Sequence, residues 1–213
     1  PIDKPYGITS FKALAHVRYL CTQANDGKVK IGHAGTLDPL ATGVLILATG
    51  KMTKQIEILQ AHTKEYVATL QLGATTPSYD MEHITRELID KTLPQFVGDI
   101  EQIPPTYSAV KVDGKRAFDY RRSGKEVVLK AKNIHIDEIE VLNFDSDKMR
   151  LTIRVGCGKG TYIRALARDL GRAMNSGAYL AALRRTRVGD VKVEDCVNYD
   201  QFETWLQQQI IDK

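Results

Sequence analysis

The 213-residue sequence predicts an α+β fold built on a large, mixed and mainly antiparallel sheet. Three observations predict it. Strand-like runs outnumber helix-like ones. Most of these runs are joined by turns rather than by long crossovers. The two best alternating runs, Lys132 to Phe144 and Met149 to Val155, flank the polar tetrapeptide Asp145-Ser146-Asp147-Lys148 and read as an antiparallel hairpin.

The remaining elements follow in order. Ser10 is placed to cap a helix running to Thr22, with Phe11, Leu14, Val17 and Cys21 near one face. Val29-Lys30-Ile31 reads as a short strand, and Val44-Leu45-Ile46-Leu47 as a buried one. Met52 to Ala61 reads as a helix with Ile56 and Leu59 inward, and Glu65 to Leu72 as a strand. A loop from Ala74 to Asp80, broken by Pro77, leads to a helix from Ile84 to Phe96. Pro104-Pro105 interrupts the chain before a strand from Tyr107 to Val112, which Asp113-Gly114 ends as a turn. Thr161 to Asn175 reads as a helix and Tyr179 to Val188 as a strand. Asp200-Gln201-Phe202-Glu203 fits a capping box for a last helix. There is no internal repeat and no low-complexity linker.

Composition narrows the function classes. The chain is 43% hydrophobic with a net charge of +4, which permits a polyanionic partner without demanding one. Its three cysteines, Cys21, Cys157 and Cys196, lie far apart and form no Cys-x-x-Cys pair. Neither a zinc knuckle nor a disulfide framework is indicated, and a reducing, cytoplasmic setting is expected. No apolar run approaches the length of a membrane span, and no secretory signal is visible. The chain begins at Pro1 rather than methionine, so a short N-terminal piece is expected to be missing.

The strongest chemical signal is Gly32-His33-Ala34-Gly35-Thr36-Leu37-Asp38-Pro39-Leu40-Ala41-Thr42-Gly43. It sets one carboxylate, Asp38, in a glycine-bracketed loop with His33 upstream. Glycine admits turns closed to other residues and lets a flat ligand approach the main chain. Asp-Pro is also a good helix start, with Asp as N-cap and Pro at the first helical position. Gly43 and the apolar run after it favour a braced loop feeding a core strand instead.

Other residues carry weaker signals. Tyr66 is either a strand aromatic with its hydroxyl at the sheet edge or a ring that stacks on a base. Gly156-Cys157-Gly158-Lys159-Gly160-Thr161 precedes a helix but is not a phosphate loop of the nucleotide-hydrolase type, because Lys159 is followed by glycine. Arg164 falls in the first turn of that helix, the unfavourable end of the dipole for a cation, and calls for a carboxylate partner. On the residues alone, Asp38 and some nearby surface group are alternative partners. Between Lys111 and Lys132, six further cations interleave with Phe118 and Tyr120. That pattern suits looped RNA, with a solvated amphipathic helix as the alternative. Arg184, Arg185 and Arg187 form a second basic group.

Taken together, these segments resemble the TruB family of RNA pseudouridine synthases, over nearly the whole chain and in the right order. Lys4-Pro5-Tyr6-Gly7-Ile8-Thr9-Ser10 resembles the family's N-terminal motif, Gly32 to Gly43 its catalytic loop, and Lys64-Glu65-Tyr66 its second motif. Pro104 to Ala109, Gly160 to Arg164 and Leu183-Arg184-Arg185 also match. The resemblance implies the pseudouridine synthase fold, with helices flanking the sheet and a central RNA-binding cleft. It implies one catalytic domain over 1–213 with a mobile RNA-contacting segment at about 111–132. Asp38 then matches the essential aspartate, and Arg164 the arginine that pairs with it. Tyr66 matches the tyrosine that stacks on the flipped base and takes a proton. His33 matches the histidine near the extruded nucleotide, Tyr162 and Leu183 match base-pocket residues, and Lys54 matches a lysine near the active site. Asp80 matches the family pattern only loosely.

The implied reaction converts uridine to pseudouridine at position 55, in the T-arm of transfer RNA, with no cofactor and no metal. The partner is tRNA, no membrane is involved, and the protein acts as a monomer. Many family members continue into a C-terminal RNA-binding PUA domain. This chain ends soon after Trp205, so it is either a short member or part of a longer chain. A non-catalytic tRNA-folding chaperone is the alternative function. A zinc nucleobase deaminase is excluded, since His-x-Glu and Pro-Cys-x-x-Cys are both absent. The guide-RNA-directed relatives of the same superfamily carry a PUA domain, which is not seen here.

Overall fold

The structure is a computed structural model that describes residues 1–25, 27–73, 84–108, 110–112, 115–124 and 128–211. The first elements in chain order are β1 (Ile2–Lys4), α1 (Ser10–Ala24), β2 (Ile31–Ala34) and β3 (Ala41–Thr49). A 3-10 turn (Gly50–Gln55) follows, then α2 (Ile56–Ala61), β4 (Lys64–Leu72), α3 (Arg86–Thr92) and β5 (Gly98–Gln102). Next come β6 (Lys111–Val112), β7 (Lys115–Arg116), α4 (Ala117–Arg122), β8 (Lys132–Asp145) and β9 (Arg150–Cys157). The chain closes with α5 (Ile163–Ala173), β10 (Ala178–Val188), β11 (Val191–Lys192), β12 (Val197–Asn198) and α6 (Phe202–Ile211). The fold is α+β. Most strand pairs are antiparallel, while β1–β12 and β3–β10 are parallel.

The chain forms two compact units, Pro1–Val67 with Ala182–Lys213, and Ala68–Ala181. It passes from the first to the second inside β4 and returns inside β10.

In the first unit β3 is the organising strand. It pairs antiparallel with β1 (Ile2 opposite Leu45) and with β2 (His33 opposite Leu47), and parallel with β10 (Leu183 opposite Ala41). Leu45 packs on one face with Ile2, Ala13, Val17, Leu20, Cys21 and Phe202. Val44 and Ile46 pack on the other with Ala34 and Val188, covered by Ile56 and Leu59. A strand buried on both faces needs an unbroken apolar run rather than alternation, which is what Val44 to Leu47 supplies. A helix opening at Asp38-Pro39 is ruled out: Ala41 N–H donates to the Asp38 carbonyl at 3.0 Å to close a turn, and β3 starts there.

In the second unit β8 and β9 form the expected hairpin, Phe144 opposite Leu151 and Asp145 opposite Arg150. Leu151, Ile153, Val155 and Cys157 alternate into the core. Ala68, Leu70 and Leu72 do the same on β4, as period-two burial requires. α5 buries Ile163, Leu166 and Leu170.

Several boundaries differ from the sequence reading. Thr9, not Ser10, caps α1, accepting from Lys12 N–H at 3.0 Å. The strand expected at Val29–Ile31 starts at Ile31 and runs through His33, because its register is set by β3. The Met52–Ala61 helix opens as a 3-10 turn. The helix expected to reach Phe96 stops at Thr92, where Pro94 converts the chain to 3-10 geometry. Among the described residues of Tyr107–Val112, only Lys111–Val112 is strand, paired with β7. β5 was not foreseen. Its five residues are strand because they pair with β8 from Gly98 opposite Ile136 to Gln102 opposite Lys132. The Thr161–Asn175 helix covers Ile163–Ala173. Asn198 rather than Asp200 makes the last cap, accepting from Asp200 N–H at 2.9 Å. The Pro77 loop, Asp80, Asp113-Gly114 and Lys125 lie outside the described residues.

Packing across the β3–β10 pair demands a glycine at position 43. Gly43 has φ +105°, and a Cβ there would sit 2.1 Å from the Arg185 carbonyl oxygen, across the β3–β10 pair. Gly7 has φ +87° with nothing near its would-be Cβ. Gly43→Ala is therefore expected to cost at least about 2 kcal/mol. Gly7→Ala should cost only the backbone strain, about 1 kcal/mol. Urea denaturation of both variants checks this, and equal losses would contradict the packing argument.

Candidate active site

The Asp38 loop, residues 35–40, is held mainly through its backbone. Ser10 lies buried under it, its hydroxyl accepting from Leu37 N–H at 2.8 Å and donating to the Leu37 carbonyl at 3.0 Å. Gly7 N–H donates to the Pro39 carbonyl at 2.8 Å. Leu37 itself is buried, anchoring the loop one residue before the carboxylate.

Two fully buried cations complete the brace. Lys4, 0% exposed, donates from Nζ to the carbonyls of Pro5 and Ile8, both at 2.8 Å, and to that of Pro39 at 3.4 Å. Arg185, 1% exposed, donates from Nε to the Val44 carbonyl at 2.8 Å and from Nη2 to the Gly35 carbonyl at 3.1 Å. Burial pushes the Lys4 ammonium down from 10.5 to about 8, with the Asp38 carboxylate raising it and the Arg185 guanidinium lowering it. The positive φ of Gly35, +88°, lets the loop turn over the guanidinium. In the sequence Lys4 stands out only within a motif, and Arg185 only within a motif and a basic group. A cation at an inward position leaves no periodic signal that separates it from a surface residue.

His33 stands on β2, half-buried. Burial, and then the Arg185 guanidinium, push its pKa below the usual 6.5, so the ring is neutral at physiological pH. Its buried Nδ1 has no hydrogen-bond partner among the described residues. A neutral imidazole with an unused ring nitrogen can accept or donate to a polar edge of a ligand.

Tyr66 lies on the inward face of β4 with Lys64, whose ammonium is tied to the carbonyls of Gln60 and His62. Glu65 points the other way and joins β4 to β10, accepting from Thr186 Oγ1 at 2.8 Å and pairing with Arg187 at 3.6 Å. The parallel register sets Leu183 opposite Ala41, on the strand that leaves the Asp38 turn. The basic group foreseen at Arg184, Arg185 and Arg187 is not a free surface patch. Arg185 is buried, Arg187 faces Glu65, and Arg184 grips Asp3 through two bonds of 3.1 and 2.7 Å. Lys54 is exposed in the 3-10 turn after Thr49, at the other end of β3 from Ala41, about 26 Å of strand away.

Tyr162 and Arg164 belong to the second unit. Gln102, buried at the end of β5, was missed in the sequence and holds this segment by an amide exchange. Tyr162 N–H donates to Gln102 Oε1 at 2.9 Å, and Gln102 Nε2 donates back to the Tyr162 carbonyl at 3.2 Å. Arg164 donates from Nη2 to the Tyr107 carbonyl at 2.9 Å, and Arg168 donates to that of Ile103 at 2.8 Å. The segment after β5 is thereby stitched to the start of α5, which explains why both stretches stand out as motifs. Among the described residues no group of three or more His, Cys, Asp or Glu could hold a metal. No described helix is long and apolar enough to cross a membrane.

Comparison with known proteins places these features. Residues 22–163 match the N-terminal domain of the TruB family of pseudouridylate synthases, and residues 164–213 match the C-terminal domain of tRNA pseudouridylate synthase B. The chain is 58% identical over 223 residues to tRNA pseudouridine synthase B of Bacteroides thetaiotaomicron, covering 99% of this chain and 93% of that protein. It is 45% identical over 212 residues to the protein of the same name from Dechloromonas aromatica, covering 95% and 69%. Among solved structures it is similar to a chain of a Cbf5-Nop10-Gar1 complex, with TM-score 0.75 and 31% identity over 98% of this chain. It spans 55% of that longer chain. The chain belongs to the TruB family of pseudouridylate synthases.

Proposed function

We propose that this protein isomerises uridine to pseudouridine in tRNA, at position 55 of the T-arm, with Asp38 as the essential carboxylate. The observation that carries the reading is the loop that holds one aspartate, braced through its backbone by Ser10, Lys4 and Arg185, in a chain of this family. The N1–C1′ bond breaks, the uracil turns in place, C5 bonds to C1′ and gives up its proton, and N1 takes up a proton, so the formula is unchanged. Nothing is oxidised and no group is transferred, so one positioned carboxylate and a proton acceptor are enough. Extruding the target nucleotide costs a few kcal/mol, which stacking and backbone contacts offset.

The roles follow. Tyr66 stacks on the extruded base and takes a proton. His33 contacts the flipped nucleotide, and Tyr162 and Leu183 line the base pocket. Arg164 pairs with Asp38 in the working enzyme, and Lys54 contacts RNA. The whole chain acts as one catalytic domain, with about 111–132 as the segment that closes on RNA. It works as a cytoplasmic monomer.

Incubation with unmodified tRNA followed by pseudouridine-specific chemical mapping tests the reading. Wild type should give one modified site, and Asp38→Asn none, with tRNA binding largely kept. Modification by a pure Asp38→Asn preparation would overturn the assignment. Arg164→Lys keeps the charge but loses the planar fork. Its turnover should fall by at least about tenfold with little change in RNA affinity, and an unchanged rate would mean that the pair is not used.

Lys4 supplies a pH signature of the brace. Its folded-state pKa is about 8 against 10.5 for an unperturbed lysine. Between these values the unfolded chain holds a proton that the folded chain has released. This group's contribution to stability therefore rises with pH from about 8 to 10.5, while below 8 the full penalty of the buried charge is present. NMR titration of the lysine ammonium groups should find Lys4 with a midpoint near 8, and titration with the other lysines would refute the buried cation.

A further inference from the structure

We infer that the outward face of α1, with the groove it forms against the following loop, binds the phosphodiester backbone of the RNA substrate away from the reacting base. The inference rests on the reading of the chain as a tRNA-modifying enzyme and adds a contact surface to it.

α1 buries Ala13, Leu14, Val17, Leu20 and Cys21 and leaves the opposite face in solvent. Phe11, Ala15, Arg18, Tyr19 and Thr22 recur there at helical spacings of three and four, so they lie along one stripe. Phe11 is 67% exposed and Tyr19 61%, an unusual display for two large rings on one helix. Beside the second ring lies a cavity of about 480 Å³ lined by Ala15, Arg18, Tyr19, Thr22, Lys28 and Val29. Its wall is ordered by the chain itself: Gly27 N–H donates to the Thr22 carbonyl at 3.3 Å, and Val29 N–H to Thr22 Oγ1 at 3.4 Å.

Charge selects the occupant. No aspartate or glutamate occurs in α1. From Lys4 to Leu37 the sequence has five cations and one carboxylate, an excess equal to the net charge of the whole chain. Four of those cations, Lys12, Arg18, Lys28 and Lys30, are exposed. An apolar protein partner or a second copy of the chain would gain little from such a field. A polyanion that also carries flat rings fits both features, the cations meeting phosphates and Tyr19 meeting a base or ribose.

The helix that carries this face starts at the Asp38 loop, because Ser10, the first residue of α1, is hydrogen-bonded on its buried side to Leu37. Tyr19 stands nine residues further along the helix, about 14 Å from that bond. It is too far to touch the extruded nucleotide and well placed for RNA several base steps away.

The test is direct binding of unmodified tRNA to wild type, Arg18→Glu with Lys28→Glu, Arg18→Gln with Lys28→Gln, and Tyr19→Ala, by fluorescence anisotropy over a series of salt concentrations. Turnover of wild type is measured alongside. Both double variants should bind at least about tenfold more weakly, and the slope of log affinity against log salt should fall by about 1.5–2. Tyr19→Ala should weaken binding about fivefold or more and leave the slope unchanged. Unchanged affinity and slope in the double variants, with intact melting transitions, would overturn the inference. So would a wild-type dimer that the substitutions dissociate without affecting RNA binding, which would assign the face to self-association. Wild type that binds tRNA with the expected slope change but never modifies it would defeat the enzymatic reading and leave this surface standing.

Discussion

The structure depends on two buried cations whose hydrogen bonds go to main-chain carbonyls. Taking an ammonium or a guanidinium out of water is costly, and the cost must be met by well-placed acceptors. Lys4 finds them at Pro5, Ile8 and Pro39, and Arg185 at Gly35 and Val44. Each cation therefore ties the Asp38 loop to a different strand, β1 for Lys4 and β10 for Arg185. Loss of either would take the donor from two or more buried or part-buried carbonyls, at up to about 1–3 kcal/mol each, against a domain's total stability of about 5–15 kcal/mol. The loop cannot relax without much of the first unit relaxing with it.

The second unit uses the same device with a neutral side chain. Gln102 satisfies both the N–H and the carbonyl of Tyr162, as a neighbouring strand would, at a place where no strand exists. The start of α5 is thus fixed before its first turn. Arg164 extends the stitching to Tyr107. In both units a short functional segment is held by a side chain that binds backbone, so the braces keep their geometry whatever the exposed residues around them become.

This device explains what the sequence revealed and what it hid. β3 was legible because two-sided burial demands the run Val44 to Leu47, β4 because its burial alternates strictly, and the β8–β9 hairpin because polar turn residues separate two alternating runs. β5 was not legible. Gly98-Asp99-Ile100-Glu101-Gln102 has poor strand propensity and takes its conformation from β8. Caps moved by one or two residues because Thr9 and Asn198 compete with neighbours of equal ability. The Asp38 loop stood out through its glycines, and the family pattern gave Asp38 and Arg164 their partners in motif. The bracing role of Lys4, Arg185 and Gln102 was silent, because it is exerted on carbonyls and amides that every residue has. The arginines near the end of β10 read in sequence as a basic group, and each has a different partner: Asp3 for Arg184, main-chain carbonyls for Arg185 and Glu65 for Arg187.

The rigidity has a chemical reason. In the proposed reaction the rate comes from one carboxylate, Asp38, set correctly against a sugar and a base that must turn. Such catalysis tolerates positional error of only about half an ångström. A loop ordered only on binding would spend part of the binding energy on its own ordering, when extrusion of the nucleotide already claims a few kcal/mol. A loop braced beforehand leaves that energy for the RNA. The neutral state of His33 fits the same logic. A protonated ring would set a second cation against the Arg185 guanidinium, whereas a neutral ring can meet a base by contact and hydrogen bonding alone. The buried guanidinium of Arg185 thus acts twice: it holds the Gly35 carbonyl, and its charge adds to the larger effect of burial in keeping the imidazole uncharged.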